Sequence, residues 1–399
     1  MAKRNSDIPK YGTVQRSGIT YYRTRIDDAD GKRVNLYART REELYEKERE
    51  AKRQVEEAIF RRDNPTVAEY SAKWLTIQSG KVKPATLRDY ESKLRNYIVK
   101  PLGDMYMTEV TADDIRLALV PASRKSSSVY NTVNMLFKCI FYSAQYSHVI
   151  DYNPSEGISA KGGTPTKQKE ALTDDQVKQL LDAIKGLPPY NFVMIGLFAG
   201  LRREEILGLK WDCVFLDVPT PYIAVRRAWR SVNNRPVITE ELKTPAAYRD
   251  VPIPQCLVEC LRELKETSIS DYVIADSKGE PLAYSQFKRV WNYIRVRSNK
   301  ERTYFRYVNG QKIPHKVTPV LGEAASHNAD VIYSLDFDVT PHQLRHTYIT
   351  NLIHVGVDPK TVQYLAGHEN SKVTMDIYAK VKYNKPQELS SVVNEALSQ

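Results

Sequence analysis

Thr340 to Val381 reads TPHQLRHTYITNLIHVGVDPKTVQYLAGHENSKVTMDIYAKV, and the rest of the chain is organised around this stretch. Thr340-Pro341 supplies an N-cap and a first helical residue, and Leu344, Tyr348 and Leu352 recur at i, i+4, so the spacing predicts a helix with one buried stripe. His342 and Arg345, three apart, share a neighbouring face near its N-terminus, where free N–H groups and the positive dipole end favour an anion. Asp358-Pro359 starts a second short helix, Gly367 stops it, and His368 follows on a turn. Tyr378 comes ten residues later. Two histidines, an arginine and a tyrosine thus stand where a phosphate could be held and attacked.

HQLRH, AGHEN and MDIYAKV together resemble the carboxy-terminal signature of the tyrosine recombinases, the lambda-integrase family. The whole chain fits that pattern, with its nearest resemblance to phage and conjugative-transposon integrases. A second motif lies upstream in Ile195 to Leu209, IGLFAGLRREEILGL, whose GLRxxE core resembles the segment that supplies the family's first catalytic arginine, here Arg202. Alone, an arginine three residues before a glutamate is most often a surface ion pair. Beside HxLRH it reads as catalytic, with Glu205 as a structural partner. The family also places a mobile lysine on a hairpin, and Lys243 in LKT matches it, with Lys210 as a nearby competitor. Arg249 fits the family's next basic position, structural or phosphate-binding in role.

The composition agrees with a polyanionic partner. The chain has 399 residues and 42% hydrophobic content, enough for two or three cored domains, and a formal net charge of +11. Cys139, Cys213, Cys256 and Cys260 form no CxxC pair and have no matching histidine cluster, so free thiols are expected. With no apolar leader and no run of about 18 apolar residues, the expectation is a cytoplasmic protein that acts on DNA and engages no membrane.

The expected fold is multidomain α+β. Residues 1–62 read as three strands, a capping box at Thr40 to Glu43 and one helix. The middle strand alternates, setting Tyr21, Arg23 and Arg25 on one face. The resemblance makes this an arm-type DNA-binding domain. Asn64-Pro65 and a second capping box at Thr66 to Glu69 open a helical core-binding, SAM-like domain over 64–153. Its helices are expected near 67–77, 86–98, 113–119 and 128–147, with Lys83, Arg88, Lys93 and Arg95, and then Arg124 and Lys125, as candidate DNA contacts.

Residues 154–171, rich in Gly, Pro and Lys, read as a flexible basic linker. A mainly α catalytic domain with a small β-sheet follows over 172–383. Its polar insertion near 297–338 has a hairpin signal at Asn309-Gly310. His315 and His327 within it read as surface histidines. Residues 384–399 show apolar helical spacing, and the family's tails of this kind pack on the next subunit.

A tyrosine hydroxyl with a free pKa of about 10 is a weak nucleophile. The resemblance implies that Arg202 and Arg345 hold the phosphate oxygens while His342, Lys243 and His368 serve proton transfer or phosphate support. Tyr378 would then form a 3′-phosphotyrosine without metal or other cofactor. It further implies core and arm-type duplex sites, a homo-oligomer that is a tetramer on a Holliday junction, and an accessory DNA-bending or excision factor. A type IB topoisomerase and a catalytically idle DNA-binding regulator are the competing readings. A zinc site on His342 and His346 lacks the glutamate and third ligand such a site needs, so His346 reads as support.

Overall fold

The computed structural model describes residues 8–159, 161–165 and 169–383, with 327 excepted. The chain divides into two compact units, 1–167 and 168–399. The tail helix expected over 384–399 and His327 lie outside the described residues.

The first unit begins with β1 (Gly12–Arg16), β2 (Ile19–Asp27) and β3 (Arg33–Ala38), an antiparallel meander in that order. Ser17 and Gly18, at φ 49° and 76°, make the tight turn between the first two strands. The sheet packs on α1 (Arg41–Asp63) through the face that carries Tyr22, Thr24 and Ile26. Tyr21, Arg23 and Arg25 fall on the other face, where both arginines are exposed and Arg25 Nε donates to Asn35 Oδ1 at 3.1 Å. Thr40 caps α1 by accepting from the Glu43 N–H, while the Glu43 carboxylate takes the Arg39 N–H in place of Thr40's own.

The helical part follows with α2 (Val67–Ser79), opened by a reciprocal capping box between Thr66 and Glu69, and α3 (Pro84–Leu94). The single helix expected near 86–98 widens into a π-helical turn over Arg95–Val99 before α4 (Lys100–Leu102). Lys100 N–H reaches back five residues to Arg95 O, and Pro101 has no N–H with which to continue an i−4 ladder. Helices α5 (Ala112–Ser123) and α6 (Ser127–Tyr146) complete a core that includes Trp74, Ile98, Ile115, Leu136, Phe137 and Phe141.

The described part of the linker before residue 166 is packed, contrary to a free tether. Ile158 joins the helical core, Asn134 Nδ2 donates to Ser159 O at 2.9 Å, and Thr164 N–H donates to Lys125 O at 2.7 Å. The glycines serve close approach here: a Cβ on Gly163 would lie 2.8 Å from the Ser127 backbone.

In the second unit, α7 (Asp174–Ile184) starts at a Thr173–Gln176 capping box, and α8 (Tyr190–Phe198) is apolar on every side and buried from Phe192 to Leu197. After the short α9 (Arg203–Leu207) come β4 (Val214–Phe215), β5 (Tyr222–Val225), the hairpin of β6 (Ala228–Val232) and β7 (Arg235–Thr239), and β8 (Arg249–Pro252), which completes a β4-β5-β8 sheet. Helices α10 (Gln255–Thr267) and α11 (Tyr284–Arg295) lead to the insertion. There β9 (Arg302–Val308) and β10 (Gln311–Val317) turn on Asn309-Gly310 at φ 51° and 77°, followed by β11 (Ala324–Ala325) and β12 (Asn328–Ile332). The unit's described part closes with α12 (Pro341–His354), α13 (Pro359–Ala366) and α14 (Ser371–Tyr383). All four cysteines are free, and no helix among the described residues is long and apolar enough to cross a membrane.

Candidate active site

Helix α13 ends at Gly367, whose left-handed backbone (φ 58°) lets Gly367 N–H and His368 N–H turn back to Tyr364 O and Gln363 O. That leaves the carbonyls of Leu365, Ala366 and Gly367 to be satisfied from outside the helix. Three arginines take them in succession. Arg249 Nε donates to Leu365 O at 2.7 Å, Arg345 Nη2 donates to Ala366 O, and Arg202 Nη2 donates to Gly367 O at 2.7 Å. The negative end of the α13 dipole adds to the attraction.

Glu205 ties the cluster together. As the third residue of α9 it accepts from the Arg202 N–H at 2.8 Å and from Arg202 Nη1 at 2.7 Å, so Arg202 is the helix N-cap and not a residue within the helix. Arg249, whose side chain is 0% exposed, donates through both terminal nitrogens to the same carboxylate at 3.2 and 2.8 Å. Arg345 Nη1 reaches Gly200 O at 2.7 Å, at the sharp turn after α8 where Gly200 has φ 63°. Burial opposes ionisation of Glu205, but Arg249, Arg202 and Arg345 outweigh it and bring its pKa down to about 2.

Three guanidiniums against one carboxylate leave the site positive. His368 feels this field: burial, then Arg345, Arg202, Arg249 and His342, push its pKa down to about 4, so it is neutral at pH 7. Its Nδ1 lies 2.9 Å from the hydroxyl of Thr374, which is buried on α14. His342 is open to solvent on one side, and the packing around the rest of its ring, with Arg345 and Arg202, lowers its pKa as well. Burial and Arg202 lower the pKa of Arg345 to about 9, which still leaves it charged at neutral pH.

Tyr378 lies one turn beyond Thr374 on α14, half-buried against Ile349, Ile353, Val362 and Ala366. The His368–Thr374 contact thus joins its helix to the arginine-bound turn. His346 is half-buried on α12. Lys243 is exposed in the connection between β7 and a 3-10 turn at Pro245–Ala247, beyond the β6–β7 hairpin and not on it. Lys210 sits elsewhere, 3.9 Å from Asp271 and 4.8 Å from the Tyr272 ring centroid.

Among the other predicted contacts, Lys83 stands at the N-cap of α3, and Arg88, Arg95, Arg124 and Lys125 are exposed. Lys93 is folded back onto Asp89, with its side chain only 15% exposed. Sequence reasoning missed Thr374 and the glycine contacts. The only signal for Thr374 was its place four residues before Tyr378, on the same helical face.

Three arginines gathered at the end of α13, two histidines within their field and a tyrosine on the adjoining helix fit, on this fold, a tyrosine recombinase. The chain belongs to the phage integrase family: the model of that family matches residues 170–385, more than half of the chain, and the phage integrase N-terminal SAM-like domain matches residues 66–118.

A tyrosine recombinase XerC-like protein of Caldanaerobacter subterraneus subsp. tengcongensis is 27% identical over 92% of this chain and 94% of its own length. The ICEBs1 integrase of Bacillus subtilis is 24% identical over 93% and 95%. Among solved structures, the Tn1549 transposon integrase in complex with a circular intermediate DNA has a TM-score of 0.62 at 22% identity, over 79% of this chain and 95% of that one. A lambda integrase tetramer bound to a Holliday junction has a TM-score of 0.54 at 18% identity, over 92% and 97%.

Proposed function

We propose that this recombinase is the integrase of a mobile element and exchanges DNA strands through a 3′-phosphotyrosine on Tyr378. The observation that carries the reading is the pair of guanidiniums, Arg202 and Arg345, moored to the adjacent carbonyls of Gly367 and Ala366. Two forks fixed side by side can each donate to the non-bridging oxygens of one phosphodiester and hold the charge of its five-coordinate transition state.

In this reading Tyr378 Oη attacks the phosphorus, the P–O5′ bond breaks, His342 takes the phenolic proton and Lys243 protonates the departing 5′ oxygen. His368, neutral in the free protein, donates to a further phosphate oxygen. Glu205 and Arg249 stay out of the chemistry and hold Arg202 in place, and His346 supports α12. One phosphodiester is exchanged for another, so a 5′ hydroxyl from a second duplex can reverse the attack without ATP, metal or other cofactor.

The same reading assigns residues 1–62 to an arm-type site, with Tyr21, Arg23 and Arg25 on the exposed sheet face, and residues 64–153 to the core site. Arg88 and Arg95 are the favoured contacts there, with Lys83, Arg124 and Lys125 beside them. Residues 172–383 act as the catalytic domain, and the tail beyond 383 docks on the next subunit of a tetramer. The lambda integrase tetramer bound to a Holliday junction, on the same fold, supports that assembly.

A strand-exchange assay between two duplexes carrying the ends of a candidate element, with EDTA throughout, tests the proposal. Four-way junctions and recombinant duplexes are expected. Specific binding to both duplexes with no junction and no product would favour an idle DNA-binding regulator.

A further inference from the structure

Where the chain enters the second unit, residues 169–172 are fastened to one edge of α12. Leu172 N–H donates to Thr347 Oγ1 at 2.9 Å, Gln343 Nε2 donates to Glu170 O at 2.8 Å, and the Thr347 hydroxyl donates to Gln343 O at 2.9 Å. These anchors are buried, with Leu172 4%, Thr347 1% and Gln343 9% exposed. Lys169 Nζ also reaches Asp338 O at 3.4 Å. The Asp338 carboxylate is held in turn at the neck of the insertion by Ser298 Oγ and Lys300 Nζ, each at 3.0 Å.

Gln343 and Thr347 are one turn apart, and Arg345, two residues from each, projects from the opposite side of the helix. The helix is therefore gripped on both sides, by the carbonyls of Gly200 and Ala366 on the Arg345 face and by the incoming segment on the other. A rotation of about 10° would carry a group at the ~5–6 Å outer radius of a helix by about 1 Å. Misplacement of that size is enough to slow a positioned reaction by one or two orders of magnitude.

We propose that Gln343 and Thr347 are positioning residues, which lock segment 169–172 to α12 and so fix the rotation that aims His342 and Arg345 at the scissile phosphate. The proposal rests on the recombinase chemistry above. It makes the entry segment a working part of the site and not a passive end of the linker. Thr347→Val removes both bonds of the hydroxyl at nearly constant shape, and Thr347→Ser restores a hydroxyl able to make them.

The test measures single-turnover formation of the covalent adduct on a nicked duplex at saturating protein, alongside the Kd for the same DNA. The expected result is a fall of about tenfold or more in the Thr347→Val rate, with Kd within about twofold and the Thr347→Ser rate close to that of the unaltered chain. A Thr347→Val rate equal to the unaltered chain's would overturn the proposal. So would equal impairment of the valine and serine variants, or a loss of binding that accounts for the whole effect. Should Thr347→Val fail to fold, Gln343→Met, which removes only the bond to Glu170, carries the same comparison. Absence of adduct from the unaltered chain would count instead against the recombinase chemistry.

Discussion

Arg249 and Glu205 form a two-pronged ion pair closed to solvent, with both terminal nitrogens of the guanidinium 3.2 and 2.8 Å from the two carboxylate oxygens. The pair joins the start of β8 to α9, and through Arg249 Nε it reaches the end of α13 as well. It is the hub on which Arg202 is hung, through the same Glu205 carboxylate.

Removing one member of such a pair leaves the other buried and uncompensated. Glu205→Ala should destabilise the catalytic unit by about 3–5 kcal/mol, read from urea unfolding, and should loosen Arg202. A change below about 1 kcal/mol would mean that water reaches Arg249 and that the pair is not the hub.

Acid should expose the same dependence. The folded pKa of Glu205 is depressed to about 2 from an ordinary value of 4.5, so its contribution is full above about 4.5 and is lost as pH falls through 2. Unfolding free energy should drop through that window by about 3 kcal/mol more in the native chain than in Glu205→Gln. Parallel pH profiles of the two proteins would contradict this.

DNA binding should also take up protons. Burial and the surrounding guanidiniums hold His368 down to about 4 from 6.5, so its contribution to the stability of the free protein is full above 6.5 and is lost as pH falls through about 4. A phosphodiester lodged between Arg202 and Arg345 offsets that field and raises the pKa of His368 and His342. At pH 5.5, binding enthalpies in buffers of different ionisation enthalpy should reveal net proton uptake. No uptake would place the phosphate away from the two imidazoles.

Gly367 has no room for a side chain. Its φ of 58° already disfavours one, and a Cβ would lie 2.9 Å from both Ala246 O and Arg249 Nη1. Gly367→Ala should cost upwards of about 1 kcal/mol and lower strand cleavage further than that loss explains, because Arg202 is moored to this carbonyl. Cleavage at the native rate would refute the mooring.

The parts of this architecture that were legible in the sequence rest on short-range rules. Thr66–Glu69 and Asp358-Pro359 announce helix starts, and Gly367 and Asn309-Gly310 announce turns, because each pattern satisfies backbone groups within a few residues. The convergence on the end of α13 was not legible that way, since Arg202 and Gly367 are 165 residues apart and only the family resemblance joined them.

Composition misled at the linker, where glycines and prolines suggested freedom. Gly162 and Gly163 instead let the chain close on the Tyr130 ring and the Ser126-Ser127 backbone. Lys93 shows a local contact that spacing alone could have raised: it pairs with Asp89 one turn earlier on α3.

The most direct measurement is denaturing-gel detection of a protein–DNA adduct on a nicked core-site duplex in EDTA, comparing the native chain with Tyr378→Phe. The expected result is an adduct from the native chain alone, with equal binding by both proteins and the linked peptide mapping to Tyr378. An adduct that survives in Tyr378→Phe, or tight specific binding with no adduct from either protein, would contradict the account.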